Sequence, residues 1–137
     1  MQPEITDNVT TQDLDEVRLG LKAHNSHFFD VDEIRAIGVF IRDEQGRKLA
    51  GLTGSTTGSW LRIDMLWVSE RLRGQGVGSQ LMQAAEQEAQ RRGCRYAQVD
   101  TASFQARPFY EKLGYTLRLT LGNYILHHQR HYLTKEL

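Results

Sequence analysis

The stretch Leu61–Arg92, LRIDMLWVSERLRGQGVGSQLMQAAEQEAQRR, decides how the rest of the chain is read. It joins an apolar strand to a short charged link, a glycine cluster and a long amphipathic helix. Gly74, Gly76 and Gly78 allow a tight turn and keep its N–H groups clear of side chains. The helix that follows directs the positive end of its dipole at the same place, so the turn is suited to an anion and above all to phosphate.

Spacing separates the phosphate sites that a glycine turn can serve. A Walker loop needs G-x-x-x-x-G-K-[ST], but Ser79 and Gln80 stand where glycine and lysine are required. A dinucleotide turn needs G-x-G-x-x-G, and Ser79 again replaces the last glycine, although Asp100 ends the next strand about where a ribose-binding acid belongs. A dinucleotide-binding protein is therefore the weaker alternative. Arg73-Gly74-Gln75-Gly76-Val77-Gly78 does fit R/Q-x-x-G-x-G/A, set between a strand ending in Leu66-Trp67-Val68 and a helix. Further on, Ala106-Arg107-Pro108-Phe109-Tyr110-Glu111-Lys112-Leu113-Gly114-Tyr115 fits A-x-x-F-Y-x-x-x-G-[FY]. In this order and spacing the two segments, covering residues 60–115, resemble the acyl-CoA signature of the GCN5-related N-acetyltransferases.

The resemblance implies an α/β (α+β) fold, a single acetyltransferase domain over residues 1–137 with a mixed, centrally splayed sheet flanked by helices. It also implies transfer of an acetyl group from acetyl-CoA to a primary amine by direct attack. The cofactor diphosphate would lie on the backbone of Gly74, Gln75, Gly76, Val77, Gly78 and Ser79, with Arg73 adding charge-assisted bonds. The pantetheine amides would pair with the open strand edge at Leu66, Trp67 and Val68, and an N–H near Val68 would face the developing oxyanion. Tyr110 takes the general acid's position. A phenol of ordinary pKa about 10 protonates a departing thiolate of pKa about 8.5 once the two are held together.

Two positions extend this set. Many members carry Asn three residues before the motif alanine, where this chain has Ser103, a hydroxyl that can cap the helix or touch the cofactor. Arg107 is placed to approach a CoA phosphate or to stand in solvent. For deprotonation of the incoming ammonium the candidates are Asp64 on the central strand, Glu33, His127, His128 and His131, with a water chain as the alternative; spacing selects none of them, and Asp64 is taken with Tyr110 as the catalytic set.

Composition narrows the partners. Seventeen basic residues balance seventeen acidic ones, leaving no basic field for nucleic acid or an anionic membrane. No apolar run approaches the roughly 20 residues of a bilayer span and the N-terminus lacks a signal peptide's pattern, so a cytoplasmic protein is expected. Cys94 is the only cysteine, which excludes a disulfide framework and a cysteine metal site; it reads as a small core residue. No metal is expected from the histidines, which lack acidic or cysteine partners in register. A neutral chain favours a small-molecule amine over a protein amine as acceptor. Members of the family often pair as homodimers, and the resemblance extends that expectation here. The functional rival is an acyl-CoA-binding module without turnover.

Periodicity places the remaining elements. Residues 2–6 suggest a short first strand, followed by a one-faced helix from Asp13 to His27 with Thr10 or Thr11 as N-cap and Leu14, Val17 and Leu21 on its stripe. Ile34–Arg42 and Lys48–Thr57 read as an antiparallel hairpin turned at Asp43–Arg47, and Gly51, Gly54 and Gly58 imply a bulge or a close backbone approach. The central strand leads to a helix over Val77–Arg92 stopped by Gly93, then a parallel strand over Tyr96–Thr101. Phe104–Leu113 is a short helix whose regular ladder starts near Pro108; Tyr115–Leu121 and Arg130–Leu137 pair as strands joined by a loop over Gly122–Gln129.

Overall fold

Ile37, Val39 and Ile41 alternate with Ala36, Gly38 and Phe40, and in the computed structural model they form β1, Arg35–Arg42, with the first set turned to the core. All residues are described except the side chain of Asp32. The chain divides into two compact units, Met1–Glu33 and Ile34–Leu137.

In the first unit α1 spans Thr11–Asn25. Thr10 caps it reciprocally: its hydroxyl accepts from the Asp13 N–H at 3.0 Å and the Asp13 carboxylate accepts from the Thr10 N–H at 3.0 Å. None of its residues is buried. The strand expected at residues 2–6 does not form, because Pro3 lacks a donor and Ile5, the one large apolar side chain there, is 95% exposed with nothing to pack against.

The second unit is built on a six-stranded mixed sheet in the order β1-β2-β3-β4-β6-β5. β2 is Lys48–Thr57, β3 Trp60–Val68, β4 Tyr96–Ala102, β5 Thr116–Ile125 and β6 His128–Glu136. Only β3 and β4 pair in parallel, through the intervening helix α2, Val77–Arg91. The expected stripe Val77, Leu81, Met82, Ala85 and Ala89 is buried against β1, β2 and β3, and Gly93 ends the helix in the left-handed region at φ 93°. Its C-terminus is tied to the sheet by Arg92, whose Nη1 donates to the Ala36 carbonyl at 3.0 Å and to Thr56 Oγ1 at 3.1 Å. Helix α3, Arg107–Lys112, has Pro108 in its first turn, so the missing donor falls where helices leave donors unpaired.

One irregularity shapes the centre of the sheet. Thr53 of β2 lies opposite Met65 and the adjacent Gly54 opposite Ile63, so Asp64 is an extra residue, a β-bulge. The bulge resets the strand's period: Leu61 and Ile63 face the core before it, and Leu66 and Val68 pack on the same core after it. Gly54 is the residue that allows the strands to close here, because a Cβ on it would collide with the Arg62 carbonyl oxygen.

The loop expected over residues 122–129 is mostly strand. β5 continues to Ile125 and β6 begins at His128, since Tyr124 and Ile125 are strand formers and Asn123 and Leu126 take the left-handed turns at φ 53°. Leu121 pairs with Arg130 and Ile125 with His128, so residues 122–124 bulge opposite Gln129. No helix among the described residues is long and apolar enough to cross a membrane.

Candidate active site

The β3–β4 ladder runs from Trp60 opposite Tyr96 to Ile63 opposite Val99 and ends there. Beyond it β3 stays with β2 as far as Val68 opposite Ala50, while β4 stays with β6 as far as Ala102 opposite Arg130. The two strands part, and a wedge-shaped cavity of about 830 Å³ opens between them. Residues Ile63–Val68 line one arm and Val99–Thr101 the other; α3 contributes Phe109 and Tyr110 and its N-cap Ala106, and the glycine turn closes the outer end.

That turn is built by its glycines. Gly74 and Gly76 sit at φ 75° and 76°, where other residues are strained, and a Cβ on either would stand in open space and not against protein. Gly76 is the N-cap of α2 and no side chain caps the helix, so the first N–H groups of α2 are free of side-chain partners and open to a ligand. Gly78 serves packing: a Cβ there would lie 3.2 Å from the Phe109 ring, so its absence lets α2 and α3 approach. Arg73 Nε donates to the Val68 carbonyl at 3.1 Å, which anchors the guanidinium beside the β3 arm.

Tyr110 is 6% exposed on α3, in edge contact with Phe109 and Tyr115. Burial, assisted by the negative charge of Asp100, pushes its phenol up to about 12. Tyr115 is raised further; burial and the Glu86 carboxylate that accepts its hydroxyl proton at 2.8 Å are the causes, and Lys135 completes that network at 2.9 Å from Glu86. Tyr115 thus fixes the end of α3 to α2 and β6, and Tyr110 faces the cavity.

Of the residues expected at the site, the structure brings together Leu66, Trp67, Val68, Arg73, Gly74, Gly76, Val77, Gly78, Ser79, Asp64 and Tyr110 around one cavity. Gln75, Ser103 and Arg107 lie outside the lining. Gln75 Nε2 donates to the Arg71 carbonyl at 3.0 Å, and Arg107 pairs with Glu111 at 3.2 Å. Ser103 ties the end of β4 to the β5–β6 hairpin, accepting from the Gln129 N–H at 3.0 Å and meeting His128 Nδ1 at 3.2 Å. His131 is buried on Thr120 Oγ1 at 2.9 Å, and the rings of His127 and His128 meet at a tilt, 4.3 Å apart, at the hairpin tip. Cys94 is buried and its thiol is raised by that burial.

Among the lining residues absent from the expected site are Asp100, Gln105 and Arg130. Arg130 of β6 reaches Asp100 of β4, Nε to Oδ2 at 2.7 Å, and its Nη1 contacts Tyr124 Oη at 2.9 Å. Gln105 closes the β4–α3 turn by accepting from the Ala102 N–H at 2.8 Å. Asp100 had a visible signal as the polar end of an apolar strand; Arg130 and Gln105 had none, because each acquires its role only through pairing distant in sequence.

An open strand edge, an uncapped helix start beside glycines and a buried phenol meet at one cavity. Comparison with known proteins identifies the family. Residues 8–115 match the family model described as the Acetyltransferase (GNAT) family. Acetyltransferase Atu2258 of Agrobacterium fabrum is 37% identical over 106 residues, 77% of this chain and 77% of that protein. Blasticidin-S acetyltransferase of Streptomyces morookaense is 41% identical over 95 residues, 69% of this chain and 70% of that one. A solved structure from Agrobacterium tumefaciens, described as an acetyltransferase, superposes with a TM-score of 0.92 at 31% identity over 100% of both chains. The chain belongs to the GNAT acetyltransferase family and is an acyl-CoA-dependent N-acetyltransferase.

Proposed function

We propose that residues 1–137 act as one domain that transfers the acetyl group of acetyl-CoA to a primary amine of a small molecule by direct attack. The observation that carries this is the early end of the β3–β4 ladder at Ile63 and Val99, which leaves a strand edge and the uncapped start of α2 facing one cavity. Bound acetyl-CoA supplies the activated thioester. The N–H groups of Gly74–Ser79 hold its diphosphate, Arg73 adds charge, and the free edge at Leu66–Val68 takes its amides, with an N–H near Val68 facing the carbonyl oxygen as negative charge develops there.

Tyr110 Oη gives its proton to the departing sulfur. Its raised pKa keeps it protonated across the working pH range. The incoming ammonium sheds two protons in all, Tyr110 delivers one to sulfur and is replenished, and one proton per turnover reaches solvent. Asp64, at the bulge and bordering the cavity, is placed to receive the ammonium proton or pass it to water. The relative named for blasticidin S supports a small-molecule acceptor.

Melting the protein with acetyl-CoA tests the reading first: a ligand at about 100 times its Kd adds roughly 2.7 kcal/mol, a shift of several degrees. NAD at the same concentration should leave the melt unchanged. Tyr110→Phe should then lower kcat with acetyl-CoA affinity kept, read by thiol release over an amine panel. A kcat unchanged in Tyr110→Phe would remove the acid from that residue.

A further inference from the structure

The two arms of the wedge offer chemically different faces. Side chains alternate along β4, so Asp100 projects from the face opposite Val99 and Thr101, the two that are buried with the core. Arg130 and Tyr132 share the Asp100 face, because Asp100 lies opposite Tyr132 and Ala102 opposite Arg130 in the β4–β6 ladder. Tyr110 approaches the same gap from α3. A thioester held between the arms therefore has a proton donor at one side and an aspartate at the other.

The aspartate is held ready. Both Arg130 bonds, from Nε and from Nη2, fall on Oδ2, and Oδ1 takes none among the described residues. Arg130 is itself fixed by Tyr124, whose hydroxyl contacts Nη1 at 2.9 Å and whose ring lies 5.0 Å beneath the guanidinium. Tyr124 reaches it because residues 122–124 bulge from β5. The Asp100 side chain is 22% exposed against 47% for Asp64, so a cation on Asp100 is less screened by water.

We propose that Asp100 Oδ1, with Arg130 and Tyr124 as positioning residues, receives the ammonium group of the acceptor, and that the enzyme therefore selects cationic aliphatic amines over neutral nucleophiles. This rests on the acetyltransfer reading above and names its acceptor class. Arg130 sits on Oδ2, so the pair turns its negative end, Oδ1, away from the guanidinium. The remaining lone pairs on Oδ1 suit a donor with several N–H bonds.

The test compares two acceptors by thiol release at neutral pH: a primary alkylamine, which is an ammonium there with a pKa of about 10, and an O-alkylhydroxylamine, which is neutral. In Asp100→Asn the ratio of kcat/KM for the alkylamine to that for the hydroxylamine should fall about 10- to 100-fold, the worth of a charge-assisted bond. The acetyl-CoA melting shift should be retained. Asp100→Glu keeps the charge and should keep the wild-type preference, which decides the matter if Asp100→Asn does not fold. Equal losses for both acceptors in Asp100→Asn, or loss of the preference in Asp100→Glu, would overturn the proposal. A wild-type chain that shows no acetyl-CoA melting shift and releases no thiol with any amine of the panel would sink the acetyl-CoA reading above, and the proposal with it; a shift with the preference unchanged in Asp100→Asn would sink the proposal alone.

Discussion

Replacing Gly54 by alanine tests the link between the bulge and the site. The added methyl would collide with the Arg62 carbonyl oxygen, and its next neighbours, the Arg62 carbonyl carbon and Ile63 Cα, are backbone as well. No rotamer can relieve a clash with backbone, so β2 and β3 must separate at the bulge. Overpacking of this kind costs about 1–3 kcal/mol, and one or two ladder bonds weakened beside it add about 1 kcal/mol each. A loss of about 3–4 kcal/mol follows. At roughly 2.1 cal/mol/K per residue, a chain of 137 residues loses about 3–4 °C per kcal/mol, so Tm should fall by about 10–14 °C. Gly58→Ala is the control: its φ of 56° strains alanine but its Cβ would meet nothing, and the expected cost is about 1–2 kcal/mol. Scanning calorimetry measures both, and activity below the melt measures the site. Separation at Gly54 also moves Leu66–Val68, so kcat/KM should drop in Gly54→Ala beyond its unfolded fraction and hold in Gly58→Ala. A Gly54→Ala protein that melts no lower than Gly58→Ala, with activity intact, would refute the account of the bulge.

Three other outcomes are expected. In Gly76→Ala the left-handed backbone costs about 1–2 kcal/mol, and the methyl stands beside the N–H groups that face the cavity, so the acetyl-CoA melting shift should shrink relative to wild type. Arg92→Met removes the bonds to Ala36 and Thr56 from a guanidinium only 14% exposed; a loss of about 2–3 kcal/mol should lower Tm while acetyl-CoA affinity, measured by calorimetry, stays unchanged. The pH dependence follows from the buried phenols. Tyr110 titrates near 12 when folded and about 10 when unfolded, and Tyr115 is raised as well, so the folded state holds more protons in that window. Their contribution is complete below pH about 10 and is lost as pH rises through the folded values, so stability should decline above pH 10 and both phenols should ionise, by near-ultraviolet absorbance, only with unfolding.

The bulge was legible in the sequence in two places, only one of which rests on glycine. Gly54 and its neighbours in β2 signal a close approach. The second signal is the spacing of Leu61, Ile63, Leu66 and Val68, which runs two, three, two along a strand that needs twos. A period broken by one residue while both halves stay apolar leaves an insertion as the only way to keep one buried face. Helix α2 was equally plain, because its stripe, its glycine entrance and its glycine exit are local. Residues 2–6 misled because one apolar side chain makes no strand without a partner to take its bonds.

The remaining features depend on what a residue meets and not on what it is. Ser103 stands where the motif offers a cofactor contact, yet its hydroxyl is engaged by Gln129 and His128, two residues brought there by the hairpin that replaces the expected loop. The same hairpin carries Arg130 and the Tyr124 bulge to Asp100. Residues 122–129 look like a polar connection when read alone, since glycine, asparagine and two histidines dilute the strand pattern. Their pairing supplies what the composition hides: Arg130 faces Ala102 across β4, which places a cation one step from the aspartate at the opening of the wedge. Sequence periodicity therefore locates the arm that carries the glycine turn, and only the β4–β6 register shows how the other arm is charged.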